Sequence, residues 1–262
     1  MYGQFFILFG LILVGYYCNK KGYLPMETNK NVGNMVMRVT IPAMLITTIA
    51  GIEITDRVLK AFLFSAAGQA AMMVVFGFLM RQYGRKRGLD SRLLPMLDLT
   101  AGSLNTGFIG LPVTMIFFGQ AGIIYMSAGV LALNLYLWSY GVYLISDKKV
   151  TGAAAIGKSF LQGAINPNCI SILLGLLLAV THTARFVPTV VLGFLTKVGD
   201  LSTPLSLIYI GALAGGSGIV QLFKEKMALE ISVVKMIGMP ALAILAMLFI
   251  PADGLAKSVF LD

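Results

Sequence analysis

Long runs of apolar residues alternate with short polar segments along the whole chain. A helix needs about 20 apolar residues to cross the hydrocarbon core of a bilayer. The sixth and seventh runs have soft boundaries, because residues 181–197 mix apolar and polar positions. The pattern is that of an all-α, polytopic membrane protein. Runs near the required length predict about eight membrane spans, at residues 4–19, 32–52, 58–80, 93–117, 121–145, 168–186, 201–221 and 231–250.

The fourth predicted span carries residues at its middle that an ordinary spanning helix does not need. Pro removes a backbone donor and clashes with the preceding turn, and Gly lowers helix propensity. Breaks at membrane depth are tolerated where the freed backbone groups are buried in protein or line a wet cavity. The hypothesis is therefore a broken helix near residues 105–112, although close helix packing through a Gly-x-x-Gly face is an alternative. The residues concerned are Asn105, Thr106, Gly107, Gly110 and Pro112.

Discontinuous helices of this kind form the substrate sites of many secondary transporters, with the positive end of a half-helix directed at an anionic group. Asn105 can donate and accept hydrogen bonds without the cost of a buried charge. At the break it would both cap the second half-helix and contact a substrate carboxylate. A purely structural cap is the alternative. Thr106 and the Gly107 amide would accompany Asn105, and Pro112 would hold the break open.

Composition and charge distribution agree with a membrane protein and indicate an orientation. The chain is 58% hydrophobic and 12% charged, whereas about a quarter of the residues in soluble domains are charged. Most Lys and Arg follow odd-numbered spans, and the positive-inside rule then places the N-terminus outside. The net charge of +9 follows largely from this asymmetry. No nucleic-acid partner is needed to explain it.

Weak internal similarity at an offset of about 165 residues predicts a repeat. Residues 7–13 resemble residues 172–178, and two later matches follow in the same order. A five-span repeat inverts its second copy. The prediction is a first repeat at 1–150, a cytoplasmic linker at 151–166 and a second, inverted repeat at 167–262. The second broken helix would begin beyond Asp262, so we expect the C-terminal part to be missing. The alternatives are a degenerate member of the fold or a partner that supplies the rest.

Three motifs carry a resemblance to a known family. They are Leu104-Asn105-Thr106 with Gly110-Leu111-Pro112, then Asn166-Pro167-Asn168 opening span six, and Val198-Gly199-Asp200 opening span seven. Together they resemble the auxin efflux carrier family, which includes plant PIN-type auxin carriers and bacterial malate or malonate permeases.

The resemblance implies a fold like that of bile-acid/sodium symporters. Ten helices would form two inverted five-helix repeats with two broken helices that cross near mid-membrane, and about eight of the ten helices would be present. Spans one, two, six and seven would form a scaffold, and spans three to five and eight onward a transport part. A homodimer through the scaffold and elevator-like movement are also implied.

Two further polar residues lie within predicted spans. Asp98 would be costly if it faced lipid, so it either pairs with Arg92 or carries a proton. Asn134 would line a pocket or form an interhelical hydrogen bond. In contrast, snorkelling to the membrane surface explains Lys235.

Polar residues near helix ends have more structural interpretations. Asp200 is typical of an N-cap for span seven, with ion coupling as the alternative. Asn166, Pro167 and Asn168 favour a turn that starts a helix.

These features favour a secondary transporter that moves a small organic anion, such as a dicarboxylate or an auxin-like carboxylate, across the cell (inner or plasma) membrane. A non-transporting sensor or subunit derived from such a carrier is the alternative. An enzyme is not predicted, because the chain has a single His and no HExxH or GxSxG pattern. Neither a metal site nor a cofactor is predicted from Cys18 and Cys169. The expected partners are the anion, membrane lipid and a second copy of the chain.

Overall fold

The computed structural model describes residues 2–145, 165–216 and 226–249, and within α11 the side chains of 229–242. Every regular element in these ranges is helical, which confirms the predicted all-α class. Residues 151–164 of the predicted linker and the chain end after residue 249 lie outside the described residues.

In chain order, the α-helices of these ranges are α1 (Tyr2–Lys20), α2 (Met26–Met35), α3 (Ile41–Ala50), α4 (Asp56–Lys86), α5 (Leu94–Gly102), α6 (Leu111–Tyr136), α7 (Val142–Ile145), α8 (Pro167–Val180), α9 (Thr189–Asp200), α10 (Ser202–Gly216) and α11 (Lys226–Phe249). Wider π-helical turns occupy Val36–Thr40, Thr106–Gly110 and Leu137–Gly141, and a 3₁₀ turn occupies Thr183–Phe186.

Five helical stretches in the described part of the chain are long and apolar enough to cross a membrane. They are Tyr2–Lys20, Met26–Ala50, Asp56–Lys86, Leu94–Ile145 and Thr189–Gly216. The predicted number of about eight spans stays a prediction. Predicted spans four and five both lie in Leu94–Ile145, where Gly119, at φ 63° and ψ −155°, interrupts the helical backbone between them. Only glycine adopts such a conformation without strain.

The mixed segment at residues 181–197, where the span boundaries were unclear from the sequence, contains most of a separate helix, α9. Its last residue is Asp200, which is exposed. The predicted role of Asp200 as N-cap of the next helix is wrong, because Leu201 lies between Asp200 and α10. Leu201 has helical backbone angles, φ −71° and ψ −16°, whereas an N-cap residue is typically extended.

The helices group into two compact units, and each unit takes segments from both halves of the chain. Unit 1 comprises Met1–Thr55, Asn105–Ser127 and Pro167–Lys224. Unit 2 comprises Asp56–Leu104, Ala128–Asn166 and Glu225–Asp262. Unit 1 thus holds predicted spans one, two, six and seven, together with residues 105–127. This division differs from the predicted repeats, which stay a prediction.

Glycine lets helix backbones approach closely within unit 1. A Cβ atom added at Gly15 of α1 would lie 2.8 Å from the carbonyl carbon of Ile208 in α10. A Cβ added at Gly175 of α8 would lie 2.9 Å from the Cβ of Ile49 in α3. Small residues at such interfaces are the usual means of close packing between membrane helices.

Unit 2 packs α4, α5 and α11 around an apolar cluster. Its buried members are Phe76, Met80, Leu97, Ala101 and Met239. Since Met239 comes from α11 and the other members come from α4 and α5, the cluster fixes α11 beside the first half of the interrupted span.

An ion pair joins the end of α4 to the start of α11. Arg87 donates from Nη2 to both carboxylate oxygens of Glu230, at 2.5 and 2.6 Å, and the Tyr83 hydroxyl also donates to this carboxylate. The hydrogen bonds from Arg87 and then Tyr83 lower the pKa of Glu230 below its usual range. The carboxylate therefore stays charged and paired at neutral pH.

Replacing Gly15 by Ala should lower the unfolding temperature, because the new methyl group would press on the backbone of α10. Overpacking of this kind costs about 1–3 kcal/mol. Gly10→Ala is the matched control on α1, since a Cβ there meets nothing within 4 Å. Thermal unfolding in detergent should show a loss for Gly15→Ala alone. A variant as stable as the parent would contradict the close approach of α1 and α10.

Candidate functional site

The interrupted span breaks at residues 103–105. Helix α5 ends at Gly102, and Ser103 is extended, with φ −69° and ψ 135°. The Asn105 side chain then caps the next turn, because its Oδ1 accepts the backbone N–H of Phe108 at 3.2 Å. The predicted break is present, but it precedes Pro112, which lies buried in the first turn of α6.

The second half-helix begins with the π-helical turn Thr106–Gly110. The backbone N–H of Gly110 donates to the carbonyl oxygen of Asn105 at 3.0 Å, which gives the turn its wide spacing. A proline soon after its start is tolerated, since the earliest N–H groups of a helix have no partner within the helix. The positive end of this half-helix therefore begins at Asn105 and Thr106.

The first turn of the half-helix is anchored within unit 1. The ring of Phe108 stacks on Tyr209 of α10, with ring centroids 4.5 Å apart. A Cβ added at Gly107 would lie 3.2 Å from the Met37 sulfur, so this turn packs closely against the Met37 side chain. These contacts hold the backbone amides at the start of the half-helix in one position.

Thr106 and Asn105 differ sharply in exposure. Thr106 is only 1% exposed, and its hydroxyl has no hydrogen-bond partner among the described residues. Asn105 is exposed. A buried hydroxyl without a partner is costly, and such a group is a typical contact for a polar ligand.

Gly110 has a packing role in the structure. A Cβ at this position would overlap the terminal methyl group of Met126, which lies beyond the Gly119 interruption. The packing interpretation of the Gly-x-x-Gly spacing therefore accounts for Gly110. The polar side-chain groups at the break are those of Asn105 and Thr106.

On the other side of the break, the C-terminal end of α5 contacts a lysine of α11. Lys235 donates from Nζ to the backbone carbonyls of Thr100, at 2.8 Å, and Ser103, at 2.7 Å. The last carbonyls of a helix lack partners within the helix and carry its negative partial charge. The snorkelling predicted for Lys235 is wrong, because its ammonium is engaged at the end of α5.

Asp98 lies at the centre of a buried polar cluster in unit 2. Its side chain is fully buried, and Oδ2 accepts the Tyr140 hydroxyl at 3.0 Å. Arg81 lies 3.8 Å from the same oxygen, and the Tyr136 hydroxyl donates to the Asp98 backbone carbonyl at 3.4 Å. The predicted pairing with Arg92 is wrong, because Asp98 faces α4 and the residues that follow α6.

Two glycines bring the helices close around Asp98. A Cβ at Gly77 would lie 2.7 Å from the Asp98 backbone oxygen, and one at Gly102 would lie 2.5 Å from that of Met73. Met73, Ala132 and Tyr136 form an apolar cluster beside them. A carboxylate in such surroundings depends strongly on its few donors.

The remaining predicted residues make local contacts. Asn134 is 8% exposed and donates from Nδ2 to the Val130 carbonyl of its own helix at 2.8 Å. That bond lies within one helix, so the pocket-lining and interhelical roles of Asn134 stay predictions. Pro167 begins α8, as the predicted turn required, directly after Asn166, and Asn168 is buried. Asp98 and Asn134 belong to unit 2, whereas the residues from Asn105 to Pro112 belong to unit 1.

Comparison with known proteins identifies the family. The family model described as "Membrane transport protein" matches residues 1–261. The chain belongs to this membrane transport protein family. Together with its apolar helices, this makes it an integral membrane protein, and it confirms the family part of the resemblance. The likeness to malate permeases and to plant auxin carriers stays a prediction.

The chain is also similar to one curated protein. An uncharacterized transporter from Methanothermobacter thermautotrophicus (strain Delta H) is 26% identical over 205 residues. The match covers 77% of this chain and 64% of that relative, so the chain spans less than two thirds of the relative's length. Both findings support a transport function.

Some residues of the candidate site were not predicted from the sequence. Arg81, Tyr136 and Tyr140 reach Asp98 only through the packing of separate helices, and Lys235 reaches Ser103 across 132 positions of sequence. Lys235 could have been singled out from the sequence, because an ionisable residue inside an otherwise apolar span is a candidate functional residue. The tyrosines gave no signal, because Tyr is common near membrane interfaces.

Replacing Tyr140 by Phe should destabilise the protein, because the Asp98 carboxylate would lose its hydroxyl donor. Loss of a hydrogen bond to a charged group costs about 1.5–3 kcal/mol. Tyr143→Phe is the matched control, since Tyr143 is 62% exposed. Thermal unfolding of both purified variants in detergent checks this. Identical curves would show that the Tyr140 hydroxyl does not hold the carboxylate.

Proposed function

We propose that this protein is a secondary carrier that moves a small organic anion, such as a dicarboxylate or an auxin-like carboxylate. The observation that carries the proposal is the helix break at residues 103–105. The positive end of a half-helix begins there, beside the exposed Asn105 and the buried, partnerless hydroxyl of Thr106.

The chemistry of these groups suits a carboxylate. Oδ1 of Asn105 is used by the Phe108 amide, so the side-chain NH₂ group is left to donate, with no acceptor for it among the described residues. The half-helix dipole adds a favourable potential for negative charge. A carboxylate would thus meet hydrogen-bond donors and a partial positive charge, without a fully charged side chain of unit 1.

Asp98 is the candidate for proton coupling. A fully buried carboxylate inside a membrane protein is expensive and is commonly part of a proton or ion pathway. Tyr140 donates to Oδ2 of Asp98, and Arg81 lies 3.8 Å from that same oxygen. Oδ1 therefore has no hydrogen-bond partner among the described residues. The exposed position of Asp200 at the end of α9 makes it the weaker candidate.

In the proposed carrier, unit 1 would be the scaffold and unit 2 the larger part of the moving body, in an elevator-like cycle between two inverted repeats. The outer face of α1 supports a lipid or dimer contact in unit 1, because Phe6 is 81% and Leu13 65% exposed. The charge pattern supports a cell-membrane location with the N-terminus outside.

Replacing Asn105 by Ala should slow the exchange of labelled malate or malonate by the full-length protein in liposomes. Loss of a hydrogen bond to a charged substrate corresponds to about tenfold or more in rate. Asn105→Asp keeps an oxygen that can cap the half-helix but removes the side-chain donor, because a carboxylate only accepts. We expect both variants to be slow. Asn34→Ala, at an exposed position of α2, should exchange at the parental rate.

The variants separate the possible roles of Asn105. Parental exchange in Asn105→Asp, with slow exchange in Asn105→Ala, would reduce Asn105 to a structural cap. Parental exchange in both would remove it from the site. Carboxylate binding without flux in the unaltered protein would favour the sensor instead.

A further inference from the structure

The break in the fourth span has a negative end as well as a positive one, and a cation already occupies the negative end. The ammonium of Lys235 lies 2.8 Å from the Thr100 carbonyl oxygen and 2.7 Å from that of Ser103. Both carbonyls belong to the last turn of α5 or to the residue directly after it. All three residues are in unit 2.

Backbone carbonyls at such a position are ligands for a small cation. In many discontinuous membrane helices, the carbonyls at the C-terminal end of a half-helix coordinate the coupling sodium ion. A lysine ammonium carries the same charge and offers three N–H donors. Here two of these donors are engaged by that class of oxygen.

The charge of Lys235 is balanced by the helix end alone in the described part of the chain. The residues directly before and after it, Val234 and Met236, are apolar, and no carboxylate of the described residues pairs with it. The side chain is half-buried rather than extended to an exposed surface. Its partners are therefore the dipole and the two carbonyls, which is the environment of a bound ion.

We propose that Lys235 is a tethered cation that takes the place of a coupling sodium ion at the carbonyl end of the broken helix. The inference rests on the proposed carrier function and specifies its coupling. The positive charge at the end of α5 is part of the protein, so transport proceeds without bound sodium. Lys235 is a positioning residue, since its ammonium holds the backbone at the end of α5.

The first experiment measures labelled malate or malonate exchange by the full-length protein in liposomes, with sodium chloride or choline chloride. The unaltered protein should exchange within about twofold in the two salts, since no sodium site has to be filled. A rate that collapses in choline would overturn the inference while leaving the carrier function intact. The absence of exchange in both salts would count against the carrier function instead.

A substitution series separates the charge of Lys235 from its hydrogen bonds. Lys235→Arg keeps both charge and donors and should retain most of the exchange. Lys235→Gln keeps a donor without charge, and Lys235→Met keeps only the apolar stem. Both should slow exchange about tenfold or more, the usual effect of losing a charge-assisted bond. Lys60→Gln, at an exposed position of α4, is the matched control. Parental exchange in Lys235→Gln would reduce Lys235 to a neutral hydrogen-bond donor and overturn the proposal.

A second readout does not depend on flux. Thermal unfolding of the purified protein should be the same in sodium and choline chloride, because the carbonyl end is already occupied. Lys235→Ala opens that end, and sodium should then raise its unfolding temperature above the value in choline. Stabilisation of the unaltered protein by sodium would contradict the proposal. So would a Lys235→Ala variant that unfolds at one temperature in both salts.

Discussion

A helix that stops and restarts at membrane depth leaves backbone groups without partners on both sides of the gap, where no bulk water can satisfy them. The structure solves this with two side chains of different chemistry. On one side Asn105 accepts the N–H of Phe108. On the other side Lys235 donates to the carbonyls of Thr100 and Ser103. Each solution matches the sign of the helix end that it meets.

The rest of each unit supports one of these two ends. In unit 1 the stacked rings of Phe108 and Tyr209 fix the restart of the helix. In unit 2 the apolar cluster around Phe76 and Met239 keeps α11, and with it Lys235, beside α5. Local polar contacts at the gap therefore depend on apolar packing that comes from distant parts of the chain.

Much of the fold could be predicted from the sequence because its physical causes are local. Apolar run length identifies helices, and an Asn, two Gly and a Pro inside one run mark an interruption. The position of the gap itself could not be predicted, because Pro112 is compatible with the first turn of a helix as well as with a break. Likewise, α9 lies in a mixed segment whose helical character is not evident from hydropathy alone.

The site was less predictable, because its partners are set by tertiary packing. Asp98 could be singled out as an unusual buried charge, but its neighbours Arg81 and Tyr140 follow from how α4 and the end of the long helical stretch pack on α5. Lys235 was misinterpreted, because a lysine near a helix end ordinarily reaches toward the membrane surface. The carbonyls that it meets belong to a segment more than a hundred residues earlier.

The contact between α1 and α10 also has a consequence for biogenesis. Among the described helices α1 is synthesised first, whereas α10 follows only after most of the described chain has been made. Only Gly15 of α1 is buried in the finished protein, so the emerging helix can dwell in lipid without a partner. The surface of α1 around Gly15 then has no protein partner until α10 inserts. The assembly of unit 1 is therefore a late event of synthesis, set by the longest sequence separation among its packed helices.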